Sequence, residues 1–228
     1  MKLFFLFCSI LLSAVCSAQQ NAGTYTIKAG ENIFDVIPSK EIFQYPDFIQ
    51  GTVVFKNGTA TGGKLNYNSL IAAIQFIDAK GDTLSLANEE TVNYIQVSRD
   101  TFYYNEGYLR LLAGNASIKL AERVFFQEFV QKPGSYGLST ATTATNTISS
   151  IIDKRAIDLN TSQEVVLVKS KVFLIAGKFN DFVIADKKNI LKMFKRQQDK
   201  IKEYFDKNAI EFNKEDDLIK VTNFLKGL

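Results

Sequence analysis

The chain has 228 residues, a formal charge of +3, no histidine, no tryptophan and two cysteines. Both cysteines, Cys8 and Cys16, fall within the first eighteen residues, so the rest of the chain offers no thiol, disulfide or imidazole. That excludes Ser-His-Asp triads, cysteine nucleophiles and zinc held by histidine or cysteine.

The start of the chain reads as a secretory signal. Lys2 supplies a positive start, residues 3–15 are apolar apart from Ser9 and Ser13, and Cys16-Ser17-Ala18 suits cleavage before Gln19. Loss of Lys2 lowers the formal charge from +3 to +2, so there is no global field that would point to an acidic partner. Lipidation of Cys16 is the other reading, but Val15 and Ser13 stand where such sites carry a small residue and a leucine. No later stretch approaches the ~20 apolar residues of a membrane helix. The expected product is exported, soluble and held together by its core.

Residues 24–130 read as short strands separated by turns. Thr52-Val53-Val54-Phe55 is β-branched and ends in the turn signal Lys56-Asn57-Gly58-Thr59. Gly63-Lys64-Leu65-Asn66-Tyr67-Asn68 alternates, and residues 70–77 form a more apolar strand expected to be covered on both faces or to sit at a crowded centre. Asp78-Ala79-Lys80-Gly81-Asp82 reads as a hairpin turn before Thr83-Leu84-Ser85-Leu86. Next, Val92, Tyr94, Gln96 and Ser98 share one strand face, with Asn93, Ile95 and Val97 on the other. Residues 101–104, 108–112, 117–121 and 123–130 continue the strand pattern.

Residues 139–150 are small, polar and uncharged, and read as a loop or linker. Strands return at 164–176 and 178–184. The end is helical: Ile190, Phe194, Ile201, Tyr204 and Phe205 form one buried stripe. Asn213 is placed to cap a second helix with Glu215, Asp216 and Asp217 in its first turn. Leu218, Val221, Phe224, Leu225 and Leu228 form that helix's buried side. The expected fold class is α+β: mainly an antiparallel β meander, as a curved sheet, sandwich or partial barrel, with a C-terminal helical hairpin. The divisions are a signal at 1–18, a β domain at 19–186 with its Ser/Thr-rich loop at 139–150, and a helical cap at 187–228.

Several of these segments carry a likeness beyond their turns and strands. Phe55-Lys56-Asn57-Gly58-Thr59, Lys64-Leu65-Asn66-Tyr67-Asn68, residues 75–86, Asp100-Thr101-Phe102-Tyr103-Tyr104, residues 134–137, 188–194 and 210–219 together resemble a group of exported, largely uncharacterised proteins of Bacteroidota. The resemblance implies export in a Gram-negative cell and brings no activity or binding residue with it. It also makes the glycosylation-like triplets at Asn57, Asn115 and Asn160 turn residues.

The candidate sites each have a plainer explanation. Gly137-Leu138-Ser139-Thr140-Ala141 mimics a nucleophile elbow but has no histidine to serve it. Glu89, Glu90, Asp100 and Glu106 are the carboxylates open to a glycosidase-like pair, and Glu89-Glu90 reads as a turn. Asp78 and Asp82 share a hairpin that lacks EF-hand spacing. Lys187, Lys188, Lys192, Lys195, Arg196, Lys200 and Lys202 could meet anionic lipid headgroups, but read as the solvated face of a helix. Tyr67, Tyr94, Phe102, Tyr103, Tyr104, Tyr108, Phe125, Phe126 and Phe129 fill a core or line an apolar pocket.

No catalytic residue, cofactor or metal ligand is therefore assigned, and nucleic acid is not an expected partner. The expected function is that of a non-catalytic exported envelope protein, in the periplasm or at the outer-membrane or cell surface. It would serve as a partner-binding or structural module for an envelope protein or lipid. A carrier of lipid or another apolar ligand on the curved sheet is the alternative, and a carboxylate-based hydrolase comes third.

Overall fold

A computed structural model describes residues 23–133, 139–147 and 164–228. The readings of residues 1–18, of 134–138, of the loop's end at 148–150 and of Asn160 lie outside the described residues. Among the described residues, twelve strands form one antiparallel sheet: β1 (Thr24–Ile27), β2 (Ile49–Phe55), β3 (Ala60–Asn68), β4 (Ala73–Ile77), β5 (Thr83–Ser85) and β6 (Val92–Val97) in the first half. The second half adds β7 (Asp100–Tyr104), β8 (Tyr108–Gly114), β9 (Ile118–Pro133), β10 (Ser139–Thr147), β11 (Val165–Gly177) and β12 (Val183–Ile184). The order is β1-β11-β9-β8-β7-β6-β2-β3-β4-β5, with β10 on β9 and β12 on β11. Among the described residues, five α-helices join the sheet: α1 (Ile33–Val36), α2 (Ser39–Ile42), α3 (Lys187–Met193), α4 (Gln198–Asn208) and α5 (Glu215–Leu225). The α+β class and the open antiparallel sheet match the sequence expectation. Among the described residues, no helix is long and apolar enough to cross a membrane.

The sheet is strongly rolled. Five strand-to-strand steps separate β3 from β9, about 24 Å across a flat sheet at the usual spacing. Yet the Tyr67 hydroxyl on β3 donates to the Val124 carbonyl on β9 at 2.6 Å. That carbonyl lies between the stretches of β9 that pair with β8, up to Glu122, and with β10, from Gln127. The roll brings Val53, Leu65, Tyr67, Ile74, Val92, Ile95, Val97, Phe102 and Tyr108 into one apolar cluster.

The segment between β1 and β2 crosses the roll as a strap. Its Ile33, Ile37 and Ile42 pack with Ile27, Phe126, Val165 and Leu167. Buried side chains on β3 and just after it then tie the strap down. Asn66 Nδ2 donates to the carbonyls of Tyr45 and Asp47, and the Ser69 hydroxyl to that of Ile42. The alternation in Leu65-Asn66-Tyr67-Asn68 thus serves two layers, with Leu65 and Tyr67 in the core and Asn66 holding the strap.

At the other end, α3, α4 and α5 cover β8, β9 and β11. Ile118, Leu120, Phe173 and Ile175 from the strands meet Ile190, Ile201, Phe205, Leu218, Val221 and Leu225 from the helices.

Within residues 24–130 the expected run of strands is interrupted by α1 and α2, and of 178–184 only β12 (Val183–Ile184) is strand, the residues before it forming a turn. Five further local readings require correction. Residues 139–147 are not a loop but strand β10, paired to β9 from Ser139↔Pro133 to Thr147↔Gln127. Small β-branched threonines suit a ladder even without bulky neighbours. Residues 117–121 and 123–130 are not two strands but parts of β9, which runs on through Glu122. Residues 70–77 are not covered on both faces: β4 begins at Ala73, and of its residues Ile74 alone is fully buried. A register shift opposite Val54 and Phe55 turns Val92 to the same cluster as Ile95 and Val97, against the simple alternation.

The fifth correction is at the C-terminus. The expected single helix breaks at Phe194, whose backbone leaves the helical region (φ −112, ψ 52), and Gln198 Nε2 takes up the Leu191 carbonyl freed there. Phe194 is consequently only partly buried. Lys214, not Asn213, occupies the N-cap of α5, and Leu228 is exposed. Ile201→Ala should therefore cost ~2–5 kcal/mol in chemical denaturation, as for a buried aliphatic, and Phe194→Ala clearly less. Equal costs would contradict the break.

Candidate functional site: a strand edge with an apolar cleft

Two features of the concave face stand out: a chain of bonded polar groups at its centre and a cleft at one end. The polar chain begins at Glu122, which lies on β9 between the apolar residues Leu120 and Val124 and is 2% exposed. The β8–β9 register sets Arg110 directly opposite. Arg110 Nε donates to Glu122 Oε1 at 2.9 Å, Nη2 donates to the same oxygen, and Nη1 reaches Asp100 Oδ1 at 3.4 Å. The Tyr45 hydroxyl donates to Asp100 Oδ2 at 2.6 Å. On the other side, Lys171 Nζ lies 2.7 Å from Glu122 Oε2 and 3.2 Å from Glu215 Oε2. Six side chains thus link the strap, four strands and α5 in one alternating series.

The electrostatics follow from that series. Burial alone would lower the Arg110 guanidinium, but Glu122 and Asp100 offset it and hold the group above its ordinary pKa. Lys171 is raised in the same way, with burial opposed by Glu122 and Glu215. Two core tyrosines, Tyr67 and Tyr108, and the half-buried Tyr45 lie far above the ordinary phenol range, in each case first because of burial. In Tyr45 the Asp100 carboxylate adds to the rise, in Tyr67 Arg123 opposes it, and in Tyr108 Glu89 adds to it.

Of the four carboxylates read from sequence, the fold brings Asp100 into this series. Glu89 and Glu90 sit in a single 3₁₀ turn (Glu89–Thr91), and Glu106 is exposed in the β7–β8 turn. Glu122 and Arg110 were not singled out from the sequence. The available signal was one carboxylate alternating with Ile118, Leu120, Val124 and Phe126 on an apolar strand face. Asp78 spends its carboxylate inside its own turn, accepting from the Lys80 and Asp82 amides at 2.8 and 2.9 Å. Asn57 and Asn115 likewise accept backbone amides within their turns. Among the described residues no group of acidic side chains is arranged to hold a metal ion.

The cleft lies where the concave face meets an unpaired strand edge. Strand β4 pairs with β3 only from Leu65 to Asn68, so Ala60–Lys64 has a neighbour in β2 and no strand on its other side among the described residues. There a cleft of about 350 Å³ opens, with Val53, Thr61, Gly63, Leu65, Phe76 and Leu86 among its lining and Asp78 as the lining's one charged residue. Two glycines make the space. Opposite Gly63 stands Gly51, where a Cβ would strike the Gln96 carbonyl at 2.7 Å and the Leu65 side chain at 2.8 Å. At Gly63 a Cβ would meet nothing within 4 Å. Leu65 leans over one glycine and leaves the other open. Compared with known proteins, the chain matches no protein-family model, no curated protein and no solved structure.

Two predictions test the polar chain. Glu122→Gln should cost about 2 kcal/mol in urea denaturation. That is less than the ~3–5 kcal/mol of a fully buried pair, because Arg110 and Lys171 are partly exposed and each retains a second acid. No loss would mean that the chain ties nothing together. The tyrosines set the alkaline limit: their folded pKa values are raised, so their stabilising contribution is complete below about pH 10 and fades above it. Phenolate absorbance from Tyr45, Tyr67 and Tyr108 should appear only as the protein unfolds. Ionisation of those three in the folded state would contradict their burial.

Proposed function

We propose that this chain is a non-catalytic binding module whose site is the free β3 edge at Ala60–Lys64 together with the cleft beside it. The ligand is an extended segment of a partner protein, added to the sheet as a strand, with one large apolar side chain seated over Gly63. The observation that carries this reading is the coincidence of three features at one place. An unpaired strand edge offers backbone hydrogen bonds. Gly63 leaves open space on its face of the strand, where a Cβ would meet nothing within 4 Å. The cleft supplies a pocket for a side chain on the concave face. At about 350 Å³ it falls at the small end of the ~300–1,000 Å³ range of ligand pockets, fitting one bulky group better than a whole lipid.

The alternatives have less support. A lipid carrier needs a hollow sheet, but Tyr67, Phe102, Tyr108 and Ile95 occupy the centre of the roll, with the Tyr67 and Phe102 rings 5.8 Å apart. A hydrolase needs reachable carboxylates, and Glu122, the partner Asp100 would have, is buried and bonded. The lack of histidine throughout the chain supports the non-catalytic reading. The signal-like start supports placing the module outside the cytoplasm, in an envelope or beyond it.

The test is amide hydrogen exchange across a panel of strand-forming peptides with Val, Leu, Phe or Ser at the central position. Peptides with a large apolar centre should slow exchange at Ala60–Lys64 by about tenfold or more, and the serine peptide should not. Gly63→Leu should melt as the parent does, since its side chain enters open space, and should lose that protection. Unchanged exchange with every peptide, or full binding by Gly63→Leu, would rule the site out.

A further inference from the structure

A second surface, remote in sequence from the cleft, has the chemistry of a membrane contact. Strand β11 ends in a turn in which the Asn180 amide donates to the Gly177 carbonyl at 3.3 Å and Asn180 adopts a positive φ of 62°. Lys178 and Phe179 form its tip. Phe179 is 80% exposed, more than any other large apolar side chain among the described residues. Val183 and Ile184 follow at 37% and 48% exposure. An aromatic held at the tip of a tight turn, with two aliphatic residues close behind it, is costly to leave in water.

Cations surround this apolar point. Residues 177–197 contain six basic and two acidic side chains. Asp186 caps α3 by accepting from the Asn189 amide at 2.7 Å. Asp181 is exposed and lines a cleft of about 380 Å³ with Gly177, Val183, Asn189, Lys192 and Met193, so it is the one acid set against the lysines there. Lys187 turns away to Asp206 at 3.6 Å. Lys178, Lys188 and Lys192 have no carboxylate within ion-pair distance among the described residues. Lys192 lines that cleft from α3, and Lys188 lies one helical turn before it on the exposed helix surface. The strand side of the cleft leads to the exposed ring.

We propose that the Lys178-Phe179 turn and α3 dock this protein on an anionic lipid bilayer. Phe179 enters the boundary between headgroups and acyl chains, while Lys178, Lys188 and Lys192 meet lipid phosphates. The charge run that reads from sequence as a solvated helix face thus gains a partner because the fold sets an apolar anchor beside it. An aromatic anchor with several basic residues gives reversible attachment, weaker than any spanning helix. This surface does not depend on the strand-edge site, and either could fail without the other.

The test is flotation of the full chain with phosphatidylcholine vesicles, with and without about a third phosphatidylglycerol. Binding to the anionic vesicles should be stronger by about tenfold or more and should fall as salt rises. Phe179→Ser should weaken it by about tenfold with no change in melting temperature, since the ring touches little of the fold. Lys188→Ala with Lys192→Ala should weaken it by about 25-fold, at about fivefold per lysine. Lys200→Ala, an exposed lysine in α4 away from the turn, should bind as the parent does. Equal binding to both vesicle types, or no effect of Phe179→Ser, would overturn the proposal. So would capture by an acidic polypeptide such as polyglutamate with no capture by vesicles, which would assign the surface to an acidic protein.

Discussion

Strand β9 sets the geometry on which the rest of the molecule depends. Its sixteen residues pair with β11 from Ile118 to Val130 on one edge, and with β8 and then β10 on the other. One face passes under the helices at Ile118 and Leu120, faces the roll at Val124 and meets the strap at Phe126. Glu122 stands at the junction of these three packing regions. A carboxylate there is tolerable only because Arg110 and Lys171 reach it from the flanking strands. The bonded series from Tyr45 to Glu215 is best understood as the joint between strap, sheet and α5. Three separate apolar clusters fix distances well and relative orientation poorly; directional bonds at their meeting point supply the orientation.

A rolled sheet that does not close must deal with its edges. Both ends of the strand order are short: β1 has four residues and β5 has three, which limits what can pair with them. The gap on β9 between its β8 and β10 partners is filled by a side chain, the Tyr67 hydroxyl on Val124. The strap covers the opening between the β1 side and β3. The β3 edge at Ala60–Lys64 stands apart, because β4 turns away at Asp78 and no strand replaces it among the described residues. An exposed edge with two glycines and an adjoining apolar cleft is a liability in a protein that binds nothing. In a module that recruits extended segments it is the working surface.

Features legible in the sequence were those with local causes. Asn57-Gly58 and the residues from Asp78 to Asp82 announced their turns because the asparagine and aspartate side chains bond amides two to four residues away. The helical C-terminus announced itself through apolar spacing. What escaped notice depends on neighbours distant in the chain. Glu122 looked like an interruption between two strands, and only the facing Arg110 and Lys171 make it part of one. Residues 139–147 lack the bulk that marks a strand, and their partner lies on β9. The break at Phe194 follows from how α3 and α4 must pack around Ile190 and Ile201. The free edge of β3 could not be inferred from its own residues, since it exists because β4 begins pairing only at Leu65. Gly62 and Gly63 are plain in the sequence, but their consequence is visible only where the cleft opens.

The most direct test of strand addition is an isotope-filtered nuclear Overhauser spectrum of the labelled protein with an unlabelled apolar peptide bound. The account predicts cross-strand contacts between peptide backbone protons and those of Thr61, Gly62 and Gly63, together with side-chain contacts to Phe76 and Leu86. Side-chain contacts to Phe76 and Leu86 without any backbone contact along β3 would contradict it. The cleft would then be a pocket for a small apolar ligand and not a site of strand addition.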